Sequence, residues 1–277
     1  MFAAYKKYFY FFIISFLLTA ASPKPLSWTA IGDSITYLND HPNETGDRIT
    51  KGYLTQVTEQ MPGLQYINKG YNGWTAQGIA REIEKLSLVP SDIYTIFLGT
   101  NDWWQGVPIG TLDDYKNNTG TATFFGSYRH IIDKLRSLNP KARIILITPM
   151  QRVDFVHITN MKNNAYGSYK EKKGQWLKQF ADAINTIGTH EKLAVADLYN
   201  KSGMTPETLV KFKRLKDPAT GAYKDYTYPD FINIPFNPET DTYPYPSESI
   251  DMTYDGLHPS DKGYAVITKM LVPLMKE

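Results

Sequence analysis

The sequence SWTAIGDS runs from Ser27 to Ser34 and decides the fold of the chain. Residues 27–31 favour a buried strand because they are mostly apolar, and Gly32, Asp33 and Ser34 follow at once. A sheet of parallel strands binds its ligands beyond the carboxyl ends of those strands. The stretch therefore predicts a serine loop at the binding edge of a parallel sheet.

The same alternation of strand and helix continues along the chain. Four further apolar runs predict strands, and apolar residues at helical spacing predict the helices between them. Continuous apolar runs are typical of strands that are covered on both faces. The sequence therefore predicts an α/β fold, a three-layer α/β/α sandwich around a central five-stranded parallel sheet. The predicted strands are 27–31, 64–68, 92–98, 143–148 and 193–198, and the predicted helices are 52–61, 75–86, 121–138, 176–187 and 261–276.

One stretch departs from this rhythm. Residues 201–254 hold seven prolines and many tyrosines, with little helical or strand periodicity. Long irregular segments in compact domains are usually lids, binding loops or disordered, and the aromatic content argues against disorder. We expect an insertion that shapes or caps the binding pocket; we call residues 201–254 the insertion.

Length and charge limit the classes of protein. A chain of 277 residues fits one large α/β domain, and we expect a single domain over residues 23–277. Thirty basic residues against 28 acidic ones leave a net charge of +2, and no long run of like charges occurs, so nucleic acid is not expected as a partner. The chain has no cysteine, which excludes disulfides and thiolate metal sites.

The first 22 residues predict a signal peptide. Lys6 and Lys7 form a charged start, residues 8–18 are mostly apolar, and small residues follow over 19–22. A membrane anchor is the alternative, but the apolar run is shorter than the roughly 18 to 20 residues that span a bilayer. We therefore expect export to the periplasm or the extracellular space, with no stable membrane span after the signal is removed.

Three short motifs indicate the chemistry. GDSIT occupies residues 32–36, GTND occupies 99–102 and DGLHP occupies 255–259. A serine hydroxyl is a poor nucleophile until a base takes its proton, and that base needs a carboxylate to orient it. Ser34, His258 and Asp255 are the candidates for these three roles, and the short spacing lets one tight turn present both Asp255 and His258. Pro259 is expected to begin the last helix.

These motifs, in this order, resemble the SGNH/GDSL hydrolase superfamily, and the resemblance covers nearly the whole chain after the signal peptide. It implies a flavodoxin-like sandwich, a shallow active site, and activity as an esterase, lipase or acyl-carbohydrate deacetylase. INKGYNGWT, residues 67–75, looks like the second block of the family, with Gly73 as its oxyanion-donating glycine and Gly70 as the alternative. The insertion departs from the compact pattern of the family.

An oxyanion formed at the ester carbonyl needs hydrogen-bond donors that are already in place. The backbone N–H groups of Ser34 and Gly73 and the side chain of Asn101 are the candidates. Asn101 has an alternative role as a turn residue that closes the loop after the third strand. Asp33 and Asp102 are expected to be structural carboxylates.

Trp103 and Trp104 follow Asn101 directly and are expected at the rim of the pocket, as candidate substrate-binding residues. Stacking on a sugar is one interpretation, and packing against the insertion is the other. The histidines outside the motif are too scattered to suggest a metal site and are expected on the surface, so no metal and no other cofactor is predicted.

The sequence thus predicts an exported serine ester hydrolase that removes short acyl groups, acetyl above all, from a small-molecule or carbohydrate ester. A lipase, lysophospholipase or thioesterase of the same family is the main alternative. A glycan-binding protein that keeps the fold without turnover is the alternative from another class, and an acyltransferase that uses the same serine also fits.

Overall fold

The computed structural model describes residues 25–276. The predicted signal peptide, residues 1–22, lies outside the described residues and stays a prediction. The strands are β1 Leu26–Gly32, β2 Leu64–Gly70, β3 Ile93–Phe97, β4 Arg143–Ile147, β5 Phe155–Val156, β6 Asn164–Ala165, β7 Ala194–Ala196, β8 Lys213–Lys216 and β9 Tyr223–Tyr226. The helices are α1 Ser34–Tyr37, α2 Tyr53–Gln60, α3 Ala76–Glu82, α4 Thr100–Gln105, α5 Leu112–Lys116, α6 Phe124–Leu138, α7 Leu177–Glu191, α8 Leu198–Lys201, α9 Pro206–Leu209 and α10 Asp261–Lys276.

Five strands form the central sheet in the order β2-β1-β3-β4-β7, and every pairing within it is parallel. One apolar layer contains the buried side chains of α3, α6 and α7, and the other contains those of α2 and α10. In β4, Ile144 faces the first layer and Ile145 the second, as the two-residue period of a strand requires. The predicted three-layer sandwich with its five-stranded parallel sheet is confirmed.

The predicted elements match the observed ones with small shifts at their ends. The last turn of the helix predicted over 75–86 is a 3₁₀ turn, Ile83–Lys85. The prediction that Pro259 begins the last helix is wrong, because α10 starts at Asp261. Pro259 instead pairs with Thr253 in an isolated β-bridge, which closes the loop that carries Asp255 and His258.

Two irregular segments extend from this frame. Residues 149–176 connect β4 to α7; we call them the cavity segment. They contain only the small antiparallel pair of β5 and β6. The insertion contains the hairpin of β8 and β9 and single-turn helices. Its buried side chains, such as Leu209, Leu215 and Phe231, join the apolar layer of α2 and α10.

No helix within residues 25–276 combines the length and the apolar character that crossing a membrane needs.

Candidate active site

The first strand delivers Ser34 to the edge of the sheet. β1 ends at Gly32, and α1 begins at Ser34. A side chain at Gly32 would collide with Thr36, so the sharp change from strand to helix requires a glycine. Asp33 caps α1, since its Oδ1 accepts a hydrogen bond from Ile35 N at 3.0 Å. Ser34 is thereby held in the first turn of a helix at the carboxyl end of the sheet.

Three side chains are hydrogen bonded in series at this edge. His258 Nε2 lies 2.8 Å from Ser34 Oγ. His258 Nδ1 lies 2.7 Å from Asp255 Oδ2. With Nδ1 protonated toward the carboxylate, Nε2 is the basic nitrogen and can accept the serine proton. The three residues predicted from two distant motifs are therefore brought together in the order that nucleophilic catalysis needs.

The loop of Asp255 and His258 is fixed by its own backbone. Asp255 Oδ1 accepts hydrogen bonds from Leu257 N at 3.0 Å and from His258 N at 2.7 Å. Gly256 has a φ of +89° and lies against the carbonyl of Asp154, so a side chain there would be strained and would collide. One carboxylate thus shapes the turn through one oxygen and orients the imidazole through the other.

Aromatic rings enclose the imidazole. Phe155 meets His258 edge-on with ring centroids 5.4 Å apart, and Tyr254 lies nearly parallel to it at 5.9 Å. His258 is 7% exposed and Asp255 is 2% exposed. Removal from water strengthens the hydrogen bond between His258 and Asp255. The two packed rings limit the movement of the imidazole.

The candidate oxyanion donors line the same cavity as Ser34. The N–H of Ser34 lies in the first turn of α1, where helical N–H groups have no partner within the helix. Gly73 has a φ of +74°, and its N–H has no protein acceptor within residues 25–276. Asn101 Nδ2 donates to Trp74 O at 3.0 Å and makes a longer contact, 3.4 Å, with Asp33 Oδ2.

The alternative glycine has a different environment. Gly70 is the last residue of β2, and a side chain there would collide with the backbone of Tyr37. It does not line the cavity, whereas Gly73 does. The close approach of two chain segments accounts for Gly70, and the geometry favours Gly73 as a donor.

Two buried aspartates near the site cap helices. Asp102 is fully buried and accepts a hydrogen bond from Ala76 N at 2.9 Å, at the start of α3. Burial raises the pKa of Asp102 to about 7. Burial likewise raises the pKa of Asp33 to about 6. Both carboxyls have the structural roles that their positions in the sequence predict.

The cavity beside Ser34 has a volume of about 410 Å³. Such a volume accommodates a small ligand. Its wall mixes polar and apolar side chains from five parts of the chain. The lining residues are Ser34, Leu38, Glu44, Asn72, Gly73, Asn101, Trp104, Gln105, Arg152, Phe155, His157, Ile158, Asn163, Ala165, Tyr254, Asp255, Leu257 and His258.

The two tryptophans after Asn101 point in different directions. Trp104 lines the cavity. Trp103 is fully buried, and its Nε1 donates to Gln175 O at 2.9 Å. The prediction that both tryptophans lie at the rim is therefore wrong for Trp103, because adjacent residues of a helix face different sides. Their aromatic partner is Tyr166 of the cavity segment, not a residue of the insertion.

The insertion lines the cavity only through its last residue, Tyr254, so the expectation that it caps the pocket is wrong for residues 201–253. The cavity segment forms that part of the wall instead. His157, expected on the surface, is half-buried within it. In the sequence, the signal for this part of the wall is its position, because the cavity segment directly follows a core strand at the binding edge of the sheet.

Within residues 25–276, no group of three or more histidine, aspartate or glutamate side chains is placed to hold a metal ion.

A parallel α/β/α sandwich with serine, histidine and aspartate in series at its carboxyl edge is typical of serine-dependent ester hydrolases. The sequence profile of the GDSL-like lipase/acylhydrolase family matches residues 30–266. The chain therefore belongs to this family and is a hydrolase that acts on ester bonds.

Solved structures agree with this assignment. The structure of a possible lipase from Chitinophaga pinensis is 57% identical, with a TM-score of 0.90 over 91% of this chain and 98% of its own. A lipase/acylhydrolase from Enterococcus faecalis is 18% identical, with a TM-score of 0.50 over 91% of this chain and 95% of its own. An acetyl xylan esterase is 18% identical, with a TM-score of 0.50 over 89% and 98%. The last two are similar in fold alone. A search of curated proteins found no match.

Proposed function

We propose that Ser34, His258 and Asp255 form a catalytic triad, and that the chain is an exported esterase that removes short acyl groups, chiefly acetyl, from carbohydrate. The observation that carries this proposal is the series of contacts at 2.8 Å between Ser34 Oγ and His258 Nε2 and at 2.7 Å between His258 Nδ1 and Asp255 Oδ2.

Acylation begins when Ser34 Oγ attacks the carbonyl carbon of the ester and His258 Nε2 takes the hydroxyl proton. The tetrahedral intermediate then collapses, and the bond to the alcohol oxygen breaks. His258 returns its proton to that oxygen, so the alcohol leaves neutral and Ser34 carries the acyl group. Asp255 stabilises the imidazolium between these two transfers.

The N–H groups of Ser34 and Gly73 and the Nδ2 of Asn101 are the proposed donors to the oxyanion. Asn101 keeps its bond to Trp74 O and exchanges the longer contact with Asp33 for one with the substrate. Loss of one such donor typically costs about 3 to 4 kcal/mol of transition-state stabilisation.

Deacylation repeats the sequence with water. His258 takes a proton from the attacking water, the acyl–oxygen bond to Ser34 breaks, and the proton returns to Ser34 Oγ. The carboxylic acid is released and the serine hydroxyl is regenerated. An alcohol that takes the place of water would give acyl transfer by the same steps.

The wall of the cavity supports a polar alcohol and a short acyl group. Glu44, Asn72, Gln105 and Asn163 offer hydrogen-bonding groups for hydroxyls, and Trp104 offers an aromatic face. The volume of about 410 Å³ leaves little room for a long chain beside a sugar.

A lipase-like preference for longer acyl chains is the second candidate. Phe155, Ala165 and Leu257 form a small apolar cluster with Trp104 against it, and all four line the cavity. The structure that is 57% identical is described as a possible lipase. Both observations favour an apolar acyl site, and only the length of the chain that it accepts separates the two candidates.

Hydrolysis of aryl esters from acetate to decanoate by the purified protein tests both candidates. We expect acetate to be the best substrate, and Ser34→Ala to lower kcat/KM by about 10⁴-fold or more. Ser137→Ala is the matched control, since Ser137 is exposed and bonds only to Lys134 O. Fastest turnover of decanoate would replace the first candidate by the second. Equal inactivity of the native protein and Ser34→Ala would contradict both and favour a glycan-binding role.

Export is proposed from residues 1–22. Expression of the full chain in a secreting host should yield a mature protein whose N-terminus, read by mass spectrometry, falls near residue 23. Retention of Met1 in a cell-associated product would contradict it.

A further inference from the structure

Arg152 is a cationic side chain in the wall of the cavity whose hydrogen-bonding capacity is largely unused. It follows β4 at the binding edge of the sheet and lines the same cavity as Ser34. The residue is only 2% exposed, so its guanidinium is removed from bulk water. Arginine is rarely buried to this degree unless it is paired.

The guanidinium carries five N–H donors. Nη2 donates to Tyr166 O at 2.8 Å. Nε is sealed from solvent without a hydrogen-bond partner, and Nη1 has no protein acceptor within residues 25–276. The rings of Trp103 and Trp104 lie 5.1 Å from the guanidinium carbon, which favours the charge but accepts no N–H bond in the plane of the group. Nη1 is left as the nitrogen that can serve a ligand in the cavity.

Nearby carboxylates do not neutralise this group directly. Asp154 is paired with Lys213 Nζ at 2.6 Å, and Asp255 is engaged by His258 at 2.7 Å. No ion pair within the described part of the chain includes Arg152. Burial lowers the pKa of Arg152 to about 10, so the guanidinium is still positive at neutral pH. A buried cation without a hydrogen-bonded anion is costly unless a ligand supplies one.

We propose that Arg152 is a specificity-determining residue that binds a carboxylate of the ester substrate through Nη1. A carboxylate suits the site because its oxygens accept charge-assisted hydrogen bonds from a guanidinium in a fixed geometry. This inference rests on the proposed function. In a carbohydrate ester the carboxylate belongs to an acidic sugar on the alcohol side; in a dicarboxylic half-ester it belongs to the acyl side.

Two matched substrate pairs distinguish these sources. The first pair is an acetylated methyl glucuronoside and its methyl ester, which differ in the charge of the sugar. The second is 4-nitrophenyl hemisuccinate and its methyl ester, which differ in the charge of the acyl group. The readout is the ratio of kcat/KM for the charged member to that for the neutral member, measured for the native protein and for Arg152→Gln and Arg152→Lys.

The native protein should prefer the charged member of one pair by about tenfold or more, as the loss of a charge-assisted hydrogen bond implies. Preference within the first pair assigns the carboxylate to the alcohol, and preference within the second assigns it to the acyl group. Arg152→Gln should bring the ratio close to one, and Arg152→Lys should restore part of it. Lys172→Gln is the control, because Lys172 Nζ lies 3.8 Å from the Trp104 ring but does not line the cavity. It should keep the native ratio.

A purely structural role for Arg152 would lower both members of each pair alike and leave the ratio at its native value, which would overturn the proposal. A native ratio close to one in both pairs would overturn it as well. If Arg152→Gln does not fold, judged by circular dichroism, the native ratios and the inhibition by free glucuronate and succinate, compared with their methyl esters, decide the question.

Failure of the proposed function is recognised separately: the native protein would then hydrolyse no member of either pair faster than Ser34→Ala does. Calorimetric binding of glucuronate and succinate to the native protein and to Arg152→Gln would then test Arg152 alone.

Discussion

The two irregular segments beside the proposed site have different tasks. The insertion, residues 201–254, is long and rich in proline and tyrosine, yet only Tyr254 of it lines the cavity. The cavity segment, residues 149–176, is shorter and forms much of the wall. The insertion lies behind it: Lys213 Nζ pairs with Asp154, and Tyr243 OH donates to Val156 O at 3.0 Å. Length and aromatic content therefore indicate a packed segment but not whether it contacts the substrate.

Asp154 joins the two segments. Its Oδ1 accepts hydrogen bonds from Gly167 N at 2.9 Å and from Tyr169 OH, both within the cavity segment. Its Oδ2 accepts from Lys213, and its backbone carbonyl accepts from Tyr245 OH. The residues on either side of Asp154 also form backbone hydrogen bonds with the loop that carries Asp255 and His258. The insertion therefore supports the site indirectly, through the cavity segment.

The largest effect is expected when the link between the segments is broken. Lys213→Met removes a lysine that is 1% exposed and leaves Asp154 without its cation. We expect the free energy of unfolding to fall by about 3 kcal/mol, the low end for a broken buried pair, because Asp154 keeps some exposure. Urea unfolding measures this loss of stability. The kcat/KM of the protein that remains folded should change little.

Lys224→Met is the matched control within the insertion. Lys224 pairs with Asp217 on the outside of the hairpin and is about half exposed. Exposed pairs contribute about 0 to 1 kcal/mol, so this variant should unfold almost as the native protein does. Equal losses from the two variants would contradict the supporting role of Lys213.

Asp102 is a buried carboxylate that forms no ion pair within residues 25–276, in contrast to Asp154. The pKa of Asp102 is raised by burial to about 7, whereas the pKa of Asp154 is lowered, because Lys213 and hydrogen bonds outweigh the effect of burial. Between pH 5 and 6.5 the folded protein holds the Asp102 proton and the unfolded chain does not, so stability falls as pH rises. Asp102→Asn should remove about 2 kcal/mol of this decline.

Urea unfolding at several pH values tests the Asp102 prediction. Asp113→Asn is the control, since Asp113 is a largely exposed surface carboxylate and should leave the pH profile as it is. The outcome that contradicts the prediction is an Asp102→Asn profile that still declines over this range as steeply as the native one.

The features that the sequence predicts best are those that depend on local backbone geometry. Gly32 and Ser34 follow an apolar run, which is enough to place that motif at the edge of a parallel sheet. The short spacing of Asp255 and His258 is enough to place both in one turn. Arg152 is not found in this way. Its position after β4 indicates the binding edge of the sheet, but the cavity segment has no periodicity, and its path depends on pairing with a distant loop, as in the bond from Val153 N to Gly256 O at 3.0 Å.

A change in the cavity segment should alter selectivity. Phe155 lies in the apolar cluster of the cavity and meets His258 edge-on. Phe155→Leu enlarges the space beside that cluster, and we expect the preferred acyl chain to lengthen, with about fourfold in kcat/KM for each methylene that newly fits. The aryl ester series measures this. A chain-length profile that keeps its native shape would show that the acyl group binds elsewhere in the cavity.

A small loss of stability is expected where the insertion supports the cavity segment by a single neutral hydrogen bond. Tyr243→Phe keeps the ring beside Arg48 but removes the donor to Val156 O, so we expect a loss of about 1 kcal/mol in the free energy of unfolding. Val156 N donates to Asp255 O at 3.2 Å, and that bond stays, so kcat/KM and the chain-length profile should not change. Tyr223→Phe is the control, since the Tyr223 hydroxyl is on the exposed hairpin, away from the cavity segment, and accepts from Thr242 N at 2.8 Å. A marked fall in kcat/KM for Tyr243→Phe without a loss of stability would place the insertion in the catalytic machinery itself and end the distinction between the two segments.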